Sequence, residues 1–173
     1  MIVFAIITGL YAILIYLLII GFDNVKISKT KCFDEKTEFS IVIPFRNEAE
    51  TLPILLKSLQ EISYSNHSFE ILFIDDDSTD NSKEIIHTLL KNSSLSFSIL
   101  NNQRISASPK KDAIETAISK AQFDWIITTD ADCKVPRLWL ESFNSFILEK
   151  RPKMIVSPVI YKNDSTFLAK FQT

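Results

Sequence analysis

Glycine is almost absent from this sequence of 173 residues. The chain contains only Gly9 and Gly21, and both lie within an apolar stretch at its beginning. The G-x-G-x-x-G dinucleotide fingerprint and the P-loop both require glycines at fixed positions, so the polar remainder of the chain can contain neither. The sequence therefore excludes the phosphate-binding sites in which glycine backbone surrounds the ligand.

Cysteine and histidine are also scarce, and charge of one sign does not dominate. The two cysteines, Cys32 and Cys133, have no paired spacing, and the two histidines lie far from both. This pattern supports neither a disulfide framework nor a zinc site. The formal net charge is −2 and the Lys and Arg residues are scattered. We therefore expect no nucleic-acid partner.

Residues 1–22 carry no ionisable side chain except two tyrosines. As a helix, they are long enough to cross a bilayer core of roughly 30 Å. A cleaved signal peptide would have a basic start, a shorter apolar run and a small-residue cleavage site, and this sequence has none of these. We therefore predict a transmembrane anchor. Lys26, Lys29 and Lys31 follow the apolar run, so the positive-inside rule predicts a single-pass cell-membrane protein with a cytoplasmic domain.

Residues 23–37 are polar and aperiodic, which predicts a linker, and residues 38–173 are long enough for one domain. In this domain, apolar strand-like runs alternate with segments whose apolar residues recur at helical spacing. This alternation predicts an α/β fold, with a mostly parallel sheet flanked by helices. The predicted strands are 39–43, 69–74, 97–100 and 123–129, and the predicted helices are 48–62, one around 85–90, one opening at 109 and 136–148.

Ligands of such sheets bind beyond the carboxyl ends of the strands. The three strongest predicted strands end in polar clusters, at residues 44–48, 75–80 and 130–132. Neighbouring carboxylates raise one another's pKa unless a cation compensates. In an extended turn, Asp130 and Asp132 can face one ion while Ala131 packs away from it. Without glycine, diphosphate binding needs such a cation, and Mg²⁺ or Mn²⁺ held by these two carboxylates is the predicted solution.

Four motifs in order are similar to those of a known family: IVIPFRNEAETL, FEILFIDDDSTD, KKDAIETAISKA and a strand ending in DAD. Together they cover roughly residues 39–160, and the set resembles a family-2 glycosyltransferase of the GT-A fold. The resemblance implies a Rossmann-like nucleotide-diphospho-sugar transferase domain behind the membrane helix. It also implies a metal-dependent, inverting transfer of sugar to the hydroxyl of a cell-envelope glycan or a lipid-linked acceptor.

The resemblance also implies roles for individual residues. Pro44 and Arg46 would border the nucleotide base, Glu48 and Asp76 would bind nucleoside groups, and Lys111 would bind the substrate. Asp130 would contact the sugar nucleotide and, together with Asp132, would hold Mg²⁺ or Mn²⁺. Lys110 and Lys111 oppose the dipole at the start of their helix, which indicates a nearby anion.

Some of these residues also have purely structural interpretations. Asn47 and Glu50 have the spacing of a capping box, which we favour over a ligand role. One of Ser78, Thr79 and Asp80 is expected to cap the following helix. Arg46 can be either a solvated surface charge or a guanidinium stacked on a base.

The sequence departs from the family pattern in three respects. Asp77 replaces a glycine that is usual after the acidic pair, and the loop before Lys110 lacks the usual glycines. An inverting transferase also needs a general base, and the later acidic and arginine-containing motifs are missing. Asp164 is the only acid between residues 154 and 173. We therefore expect the chain to be the donor-binding half of a longer enzyme, with its base beyond Thr173.

Two other functions remain open from the sequence. FIDDDST also fits a haloacid-dehalogenase-type phosphatase, with Asp75 as nucleophile, Asp77 as acid/base, Lys111 on the phosphate and Asp130 or Asp132 on magnesium. The missing base, in turn, is consistent with a membrane-tethered module that binds nucleotide without turnover.

Overall fold

The structure, a computed structural model, describes residues 1–24 and 30–160. The chain divides into two units, residues 1–30 and residues 31–173. The first unit contains helix α1, Ile2–Asp23, whose 22 residues give a length of about 33 Å. Its length and composition suit a membrane span, as the sequence predicts. Lys26 and Lys29, on which the predicted orientation depends, lie outside the described residues.

The second unit contains a sheet of four parallel strands in the order β3-β2-β1-β4. The strands are β1 Phe39–Phe45, β2 Phe69–Asp75, β3 Phe97–Asn101 and β4 Trp125–Thr128. The chain adds β2 and β3 on one side of β1 and then crosses to add β4 on the other. The strand order therefore reverses at β1, and ligands of such sheets bind at this kind of switch point. The predicted parallel α/β fold is confirmed.

Helices cover both faces of the sheet, and the central strands are buried on both sides. The helices are α2 Leu52–Gln60, α3 Ser82–Leu90, α4 Pro109–Ile118 and α5 Trp139–Lys150. Phe39, Ile41 and Ile43 of β1 pack in one core cluster with residues of α2, α3 and α5. Val42 packs in a second cluster with Ala113 and Ala117 of α4. Because helices cover both faces of the sheet, both sides of each central strand are buried, and the strands are therefore continuous apolar runs in the sequence.

Helix α2 begins four residues later than predicted, and the proposed capping box does not form. Asn47 adopts a left-handed conformation with φ 54°. Its Oδ1 accepts a hydrogen bond from the Thr79 backbone N–H at 2.7 Å. The Glu48 carbonyl accepts from the N–H groups of Thr51 and Leu52, which makes a turn before the helix. Asn47 therefore joins two loops at the end of the sheet and does not cap α2.

Residues 31–37, the second half of the predicted linker, attach to α5. The Lys31 backbone N–H donates to Ser145 Oγ at 3.0 Å, and the Thr37 N–H donates to Asn144 Oδ1 at 2.9 Å. Lys36 forms an ion pair with Glu141 at 2.9 Å. Because these α5 side chains are buried and polar, they need such partners. This stretch therefore belongs to the packed unit.

Candidate functional site

The acidic strand ends meet at one edge of the sheet, on either side of the end of β1. Asp75 is level with Phe45 in the β1–β2 register, and the Asp76 N–H donates to the Phe45 carbonyl at 2.9 Å. On the other side, the Thr129 N–H donates to the Val42 carbonyl at 3.1 Å. Because β1 lies between them and neighbouring strands lie about 4.8 Å apart, the axes of β2 and β4 are about 10 Å apart across the sheet. In the register of β1, β4 ends level with Val42 and β2 ends level with Phe45, so a ligand that contacts both ends has to be extended.

Asp76 is held by three basic or amide side chains. Arg104 donates from Nε to Oδ1 at 2.7 Å and from Nη2 to Oδ2 at 2.8 Å. Asn102 Nδ2 donates to the same Oδ1 at 2.7 Å, and Arg46 Nη1 lies 3.9 Å from Oδ2. The Arg104 hydrogen bonds lower the pKa of Asp76, and their effect exceeds that of partial burial, which raises it. Asp76 is therefore an ionised acceptor at neutral pH.

Asn102 and Arg104 are site residues that the sequence analysis missed. Both lie in the loop after β3, whose composition gives no motif. Among the described residues, Asn102 Oδ1 is the one buried side-chain oxygen or nitrogen without a hydrogen-bond partner. Buried polar atoms in folded proteins nearly always have a partner. An unmet acceptor beside Asp76 is therefore consistent with a site that a ligand or a water completes.

Asp75 is enclosed in the structure. Its side chain is 3% exposed and forms an ion pair with Lys83 at 2.6 Å. Its Oδ1 also accepts from the Ser78 backbone N–H at 3.0 Å. Burial raises the pKa of Asp75, but the hydrogen bonds from Lys83 and Ser78 outweigh it and keep that pKa below its ordinary value. A buried carboxylate with these partners is unsuited to the role of phosphoryl-accepting nucleophile, so the phosphatase alternative is not favoured.

We predict that Lys83→Met destabilises the domain by about 1–3 kcal/mol at pH 7, because it leaves the Asp75 carboxylate buried without its charged donor. The folded-state pKa of Asp75 lies below its unfolded value near 3.9, so this stabilisation is present above about pH 4 and is lost as pH falls through the folded-state pKa. Urea unfolding of the full chain in detergent, followed by tryptophan fluorescence, measures the effect at several pH values.

The gap in unfolding free energy between wild type and Lys83→Met should narrow as pH falls from 7 to below 4. The exposed Lys120 offers a matched control, and Lys120→Met should leave stability nearly unchanged. A gap that stays constant with pH would show that Lys83 acts through packing and not through the charge of Asp75.

The end of β4 presents two carboxylates outward. Ala131 is 4% exposed and belongs to the main core cluster, while Asp130 and Asp132 are exposed. The predicted inward packing of Ala131 is therefore confirmed. Lys110 Nζ lies 2.6 Å from Asp130 Oδ1, with both side chains more than half exposed. Exposed pairs of this kind contribute little stability, so this ion pair can exchange for ligand contacts at low cost.

The first turn of α4 brings Lys110, and not Lys111, to the acidic strand end. Lys111 instead lies 3.5 Å from Glu115, one helical turn further along, and both side chains are exposed. Within the described residues, the anion beside Lys110 is the carboxylate of Asp130. Lys110 is thus the better candidate for the substrate contact that the sequence analysis gave to Lys111.

The end of β1 and the loop after it contain three predicted site residues: Pro44, Arg46 and Glu48. Pro44 is partly buried, and Arg46 is exposed. Glu48 Oε2 accepts a hydrogen bond from Thr51 Oγ1 at 2.6 Å, and the Glu48 N–H donates to Ser82 Oγ at 2.9 Å. Glu48 is therefore engaged in joining the starts of α2 and α3, and its role in binding nucleoside groups stays a prediction.

The loop between β2 and α3 forms without glycine. Asp77 adopts φ 67°, a left-handed conformation that aspartate tolerates better than most residues. The departure from the family pattern at Asp77 therefore preserves a glycine-like backbone. Asp80 accepts from the Ser82 N–H at 3.1 Å and from the Ala49 N–H at 3.1 Å. Asp80 thus accepts a hydrogen bond from the first backbone N–H of α3, although the residue at the N-cap position is Asn81.

The donor set at the end of β4 fits a divalent cation that arrives with its ligand. Within residues 1–24 and 30–160, no group of three or more His, Cys, Asp or Glu side chains could enclose a metal ion. Asp130 and Asp132 alone provide two carboxylates. Mg²⁺ is commonly held by one or two carboxylates, with substrate phosphates and waters in the remaining positions. The residues therefore fit a cation shared with a diphosphate.

Several known proteins are similar in sequence to this chain. A poly-beta-1,6-N-acetyl-D-glucosamine synthase of Staphylococcus epidermidis is 30% identical over 140 residues, which cover 78% of this chain and 31% of that protein. An undecaprenyl-phosphate 4-deoxy-4-formamido-L-arabinose transferase of Pseudomonas savastanoi is 35% identical over 99 residues, 56% of this chain and 28% of that protein. The chain thus spans about a third of the length of the curated relatives it matches.

Solved structures share the fold. A crystal structure of Staphylococcus aureus TarS, residues 1–349, superposes with a TM-score of 0.59 at 25% identity and covers 66% of this chain and 33% of that one. A mannosyltransferase of Pyrobaculum calidifontis, in complex with GDP-Man and Mn²⁺, superposes with a TM-score of 0.58 at 21% identity, covering 65% and 33%. The sequence profile of Glycosyl transferase family 2 matches residues 40–173. The chain therefore belongs to glycosyl transferase family 2.

Proposed function

We propose that this chain binds the nucleotide-diphosphate-sugar donor of an inverting glycosyltransferase that acts on a hydroxyl of a cell-envelope glycan or a lipid-linked acceptor. The observation that carries the proposal is the convergence of two acidic strand ends at the switch point of the sheet. After β2, the carboxylate of Asp76 is held by Arg46, Asn102 and Arg104. After β4, Asp130 and Asp132 are exposed, and Lys110 lies 2.6 Å from Asp130.

These two strand ends suit the two parts of a sugar nucleotide. The ionised Asp76 can accept a hydrogen bond from an N–H of a base, such as the imide of uracil or the corresponding group of guanine. Pro44 and Arg46 lie beside it at the end of β1, where a base can pack against a ring or a guanidinium. The exposed carboxylates at the end of β4 attract the cation that accompanies the diphosphate, and Lys110 adds a positive charge beside them.

The named ligands of relatives and neighbours support a nucleotide donor. A second TarS structure contains UDP-GlcNAc and superposes with a TM-score of 0.60 at 22% identity. The mannosyltransferase neighbour contains GDP-Man and Mn²⁺. These ligands belong to those proteins, and we carry over only the class, a nucleoside-diphosphate sugar bound with Mg²⁺ or Mn²⁺.

In the proposed reaction, the residues of this chain bind and orient the donor. Asp130 and Asp132 would hold the divalent cation, which when bound supplies positive charge to the leaving diphosphate. Lys110 would add a second positive charge beside Asp130. The acceptor hydroxyl attacks the anomeric carbon, and its proton goes to a general base. No described residue is assigned as that base, which we propose lies beyond Thr173.

The experiment that tests the proposal is thermal unfolding of the full chain in detergent, with Mn²⁺ and a nucleoside diphosphate. Ligand at a hundredfold excess over its Kd stabilises the folded state by about 2.7 kcal/mol. We expect UDP or GDP to raise the unfolding temperature, and ADP, whose base has no imide N–H, to raise it less. Absence of any stabilisation by UDP and GDP would refute the proposal.

A further assay separates binding from turnover. If the chain binds nucleotide clearly but transfers sugar to none of the acceptors tested, the result favours a membrane-tethered module that binds nucleotide without turnover. Release of phosphate from a phosphatase substrate, abolished by Asp75→Asn, would instead support the phosphatase alternative.

For the membrane arrangement, we predict that protease added outside intact cells leaves residues 31–173 uncut. Lys26, Lys29 and Lys31 follow α1, whereas only the amino terminus is charged before it, and cytoplasmic flanks of membrane helices carry the excess of basic residues. The same protease should digest the domain after the membrane is permeabilised. Digestion in intact cells would place the domain outside.

A further inference from the structure

Arg104 makes three hydrogen bonds to Asp76 in the candidate site, although no motif includes it. Its guanidinium binds both oxygens of Asp76 in a two-pronged arrangement, at 2.7 and 2.8 Å. Its Nη2 also lies 3.3 Å from the Asp76 backbone carbonyl. Paired contacts of this kind fix orientation as well as adding energy, because the planar guanidinium matches the planar carboxylate.

The hydrogen bonds from described residues leave Asp76 with one unused acceptor position. An ionised carboxylate has about four lone-pair sites. Oδ1 already accepts from Arg104 Nε and from Asn102 Nδ2 at 2.7 Å each. Among the described residues, Oδ2 accepts from Arg104 Nη2 alone within hydrogen-bonding distance, since Arg46 Nη1 is 3.9 Å away. A further N–H donor can therefore bind at Oδ2, whereas Oδ1 is fully used.

The loop that carries Arg104 is itself fixed to helix α4. Asp112, which is 2% exposed, accepts hydrogen bonds from the backbone N–H groups of Ile105 at 3.0 Å and Ser106 at 2.8 Å. It accepts a third from Ser106 Oγ at 2.7 Å. The Gln103 N–H donates to Thr116 Oγ1 at 3.2 Å. Side-chain acceptors thus order a loop that has no glycine, and Arg104 is presented from a fixed backbone.

We propose that Arg104 is a positioning residue for donor selection: it fixes the Asp76 carboxylate so that Oδ2 accepts the imide N–H of the nucleotide base. The inference rests on the proposed function, because it requires that Asp76 contact the base. Arg104 then acts through Asp76. In the competing arrangement, Arg104 leaves Asp76 and binds the diphosphate directly.

A double-mutant cycle distinguishes the two arrangements. The variants are Arg104→Gln, Asp76→Asn and the double substitution in the full chain, and the measurement is the Kd of UDP and of GDP with saturating Mn²⁺. We expect Arg104→Gln to weaken binding about tenfold in the wild-type background. In the Asp76→Asn background, the same substitution should change the Kd less than about twofold, because interactions that work as one unit are not additive.

The selectivity among nucleotide bases is a second measurement. It should not change if Arg104 only stabilises the fold. CDP has no hydrogen on the ring nitrogen that corresponds to the imide of uracil. Arg104→Gln should therefore reduce the preference for the better of UDP and GDP over CDP, with little change in the Kd of CDP. Equal losses for all three nucleotides would show direct contact with the diphosphate and would overturn the proposal.

Two further variants complete the test. Arg104→Lys keeps the charge but loses the paired geometry, so it should restore only part of the affinity, and full restoration would contradict the positioning role. Arg137 is exposed, and its described hydrogen bond uses its backbone carbonyl, so Arg137→Gln is the matched control. Failure of the wild type to bind UDP and GDP refutes the proposed function. Wild-type binding that Arg104→Gln leaves unchanged refutes only the role of Arg104.

Discussion

Replacing Asp132 with asparagine should remove most of the mutual enhancement between Mn²⁺ and nucleoside-diphosphate binding. Two carboxylates at the end of β4 repel each other in the free protein, and a cation shared with the diphosphate relieves that repulsion. In the wild type each ligand should therefore raise the affinity for the other by the same factor, typically about 5- to 150-fold. In Asp132→Asn this factor should fall close to one.

The fold should survive this substitution, because the side chain of Asp132 is exposed and its described side-chain contact is a weak one from Cys133 Sγ at 3.8 Å. Asp124 is a matched control, since it is exposed and precedes β4 at the opposite edge of the sheet. Asp124→Asn should leave the coupling unchanged. If Asp132→Asn retains the full coupling, the carboxylate pair does not hold the cation.

The second large effect is expected at Asp76. Asp76→Ala should weaken nucleoside-diphosphate binding by about 1–3 kcal/mol, the cost of losing a hydrogen bond to a charged group. This corresponds to roughly a 5- to 150-fold rise in Kd. Titration calorimetry with saturating Mn²⁺ measures the change, and a urea unfolding curve checks that the variant is folded.

Asp77 provides the control for Asp76. It is the next residue along the chain and is exposed with φ 67°, a conformation that asparagine also tolerates. Asp77→Asn should therefore keep both the fold and the nucleotide affinity. Unchanged nucleotide affinity in folded Asp76→Ala would return Asp76 to a purely structural role, as the partner of Arg104 and Asn102.

The parallel sheet could be predicted from the sequence because the pattern that indicates it is local and occurs several times along the chain. Each central strand is a short apolar run that ends in polar residues, and helical spacing follows each run. The inward packing of Ala131 between two exposed acids also follows from the alternation of side chains along an extended chain. Helices cover both faces of the sheet, so the central strands need apolar residues on both sides, and this requirement is visible in the sequence.

The contacts within the site could not be predicted in the same way. Lys83 reaches Asp75, Arg104 reaches Asp76, and Lys110 reaches Asp130. Each pair joins residues that are brought together only by the order of the strands and the path of the loops. Charged residues in a loop carry no periodic signal, so a sequence shows that the cations are present but not which carboxylate each one meets.

The predicted start of α2 differs from the observed start for a related reason. The sequence allows α2 to begin near Glu48, but Asn47 and Glu48 are bonded to the loop and helix start that follow β2. These long-range bonds outweigh the local capping pattern, and α2 begins at Leu52. Propensity fixes that a helix forms here, whereas tertiary hydrogen bonds fix where it starts.

The most direct test of the account is a pair of calorimetric titrations on the wild-type full chain in detergent. UDP or GDP is titrated once with saturating Mn²⁺ and once with chelator, and Mn²⁺ is titrated with and without the same nucleotide. The nucleotide should bind more tightly with Mn²⁺ than with chelator, and the two enhancement factors should be equal. Equal nucleotide affinity in Mn²⁺ and in chelator, or no binding of either nucleotide, would contradict it.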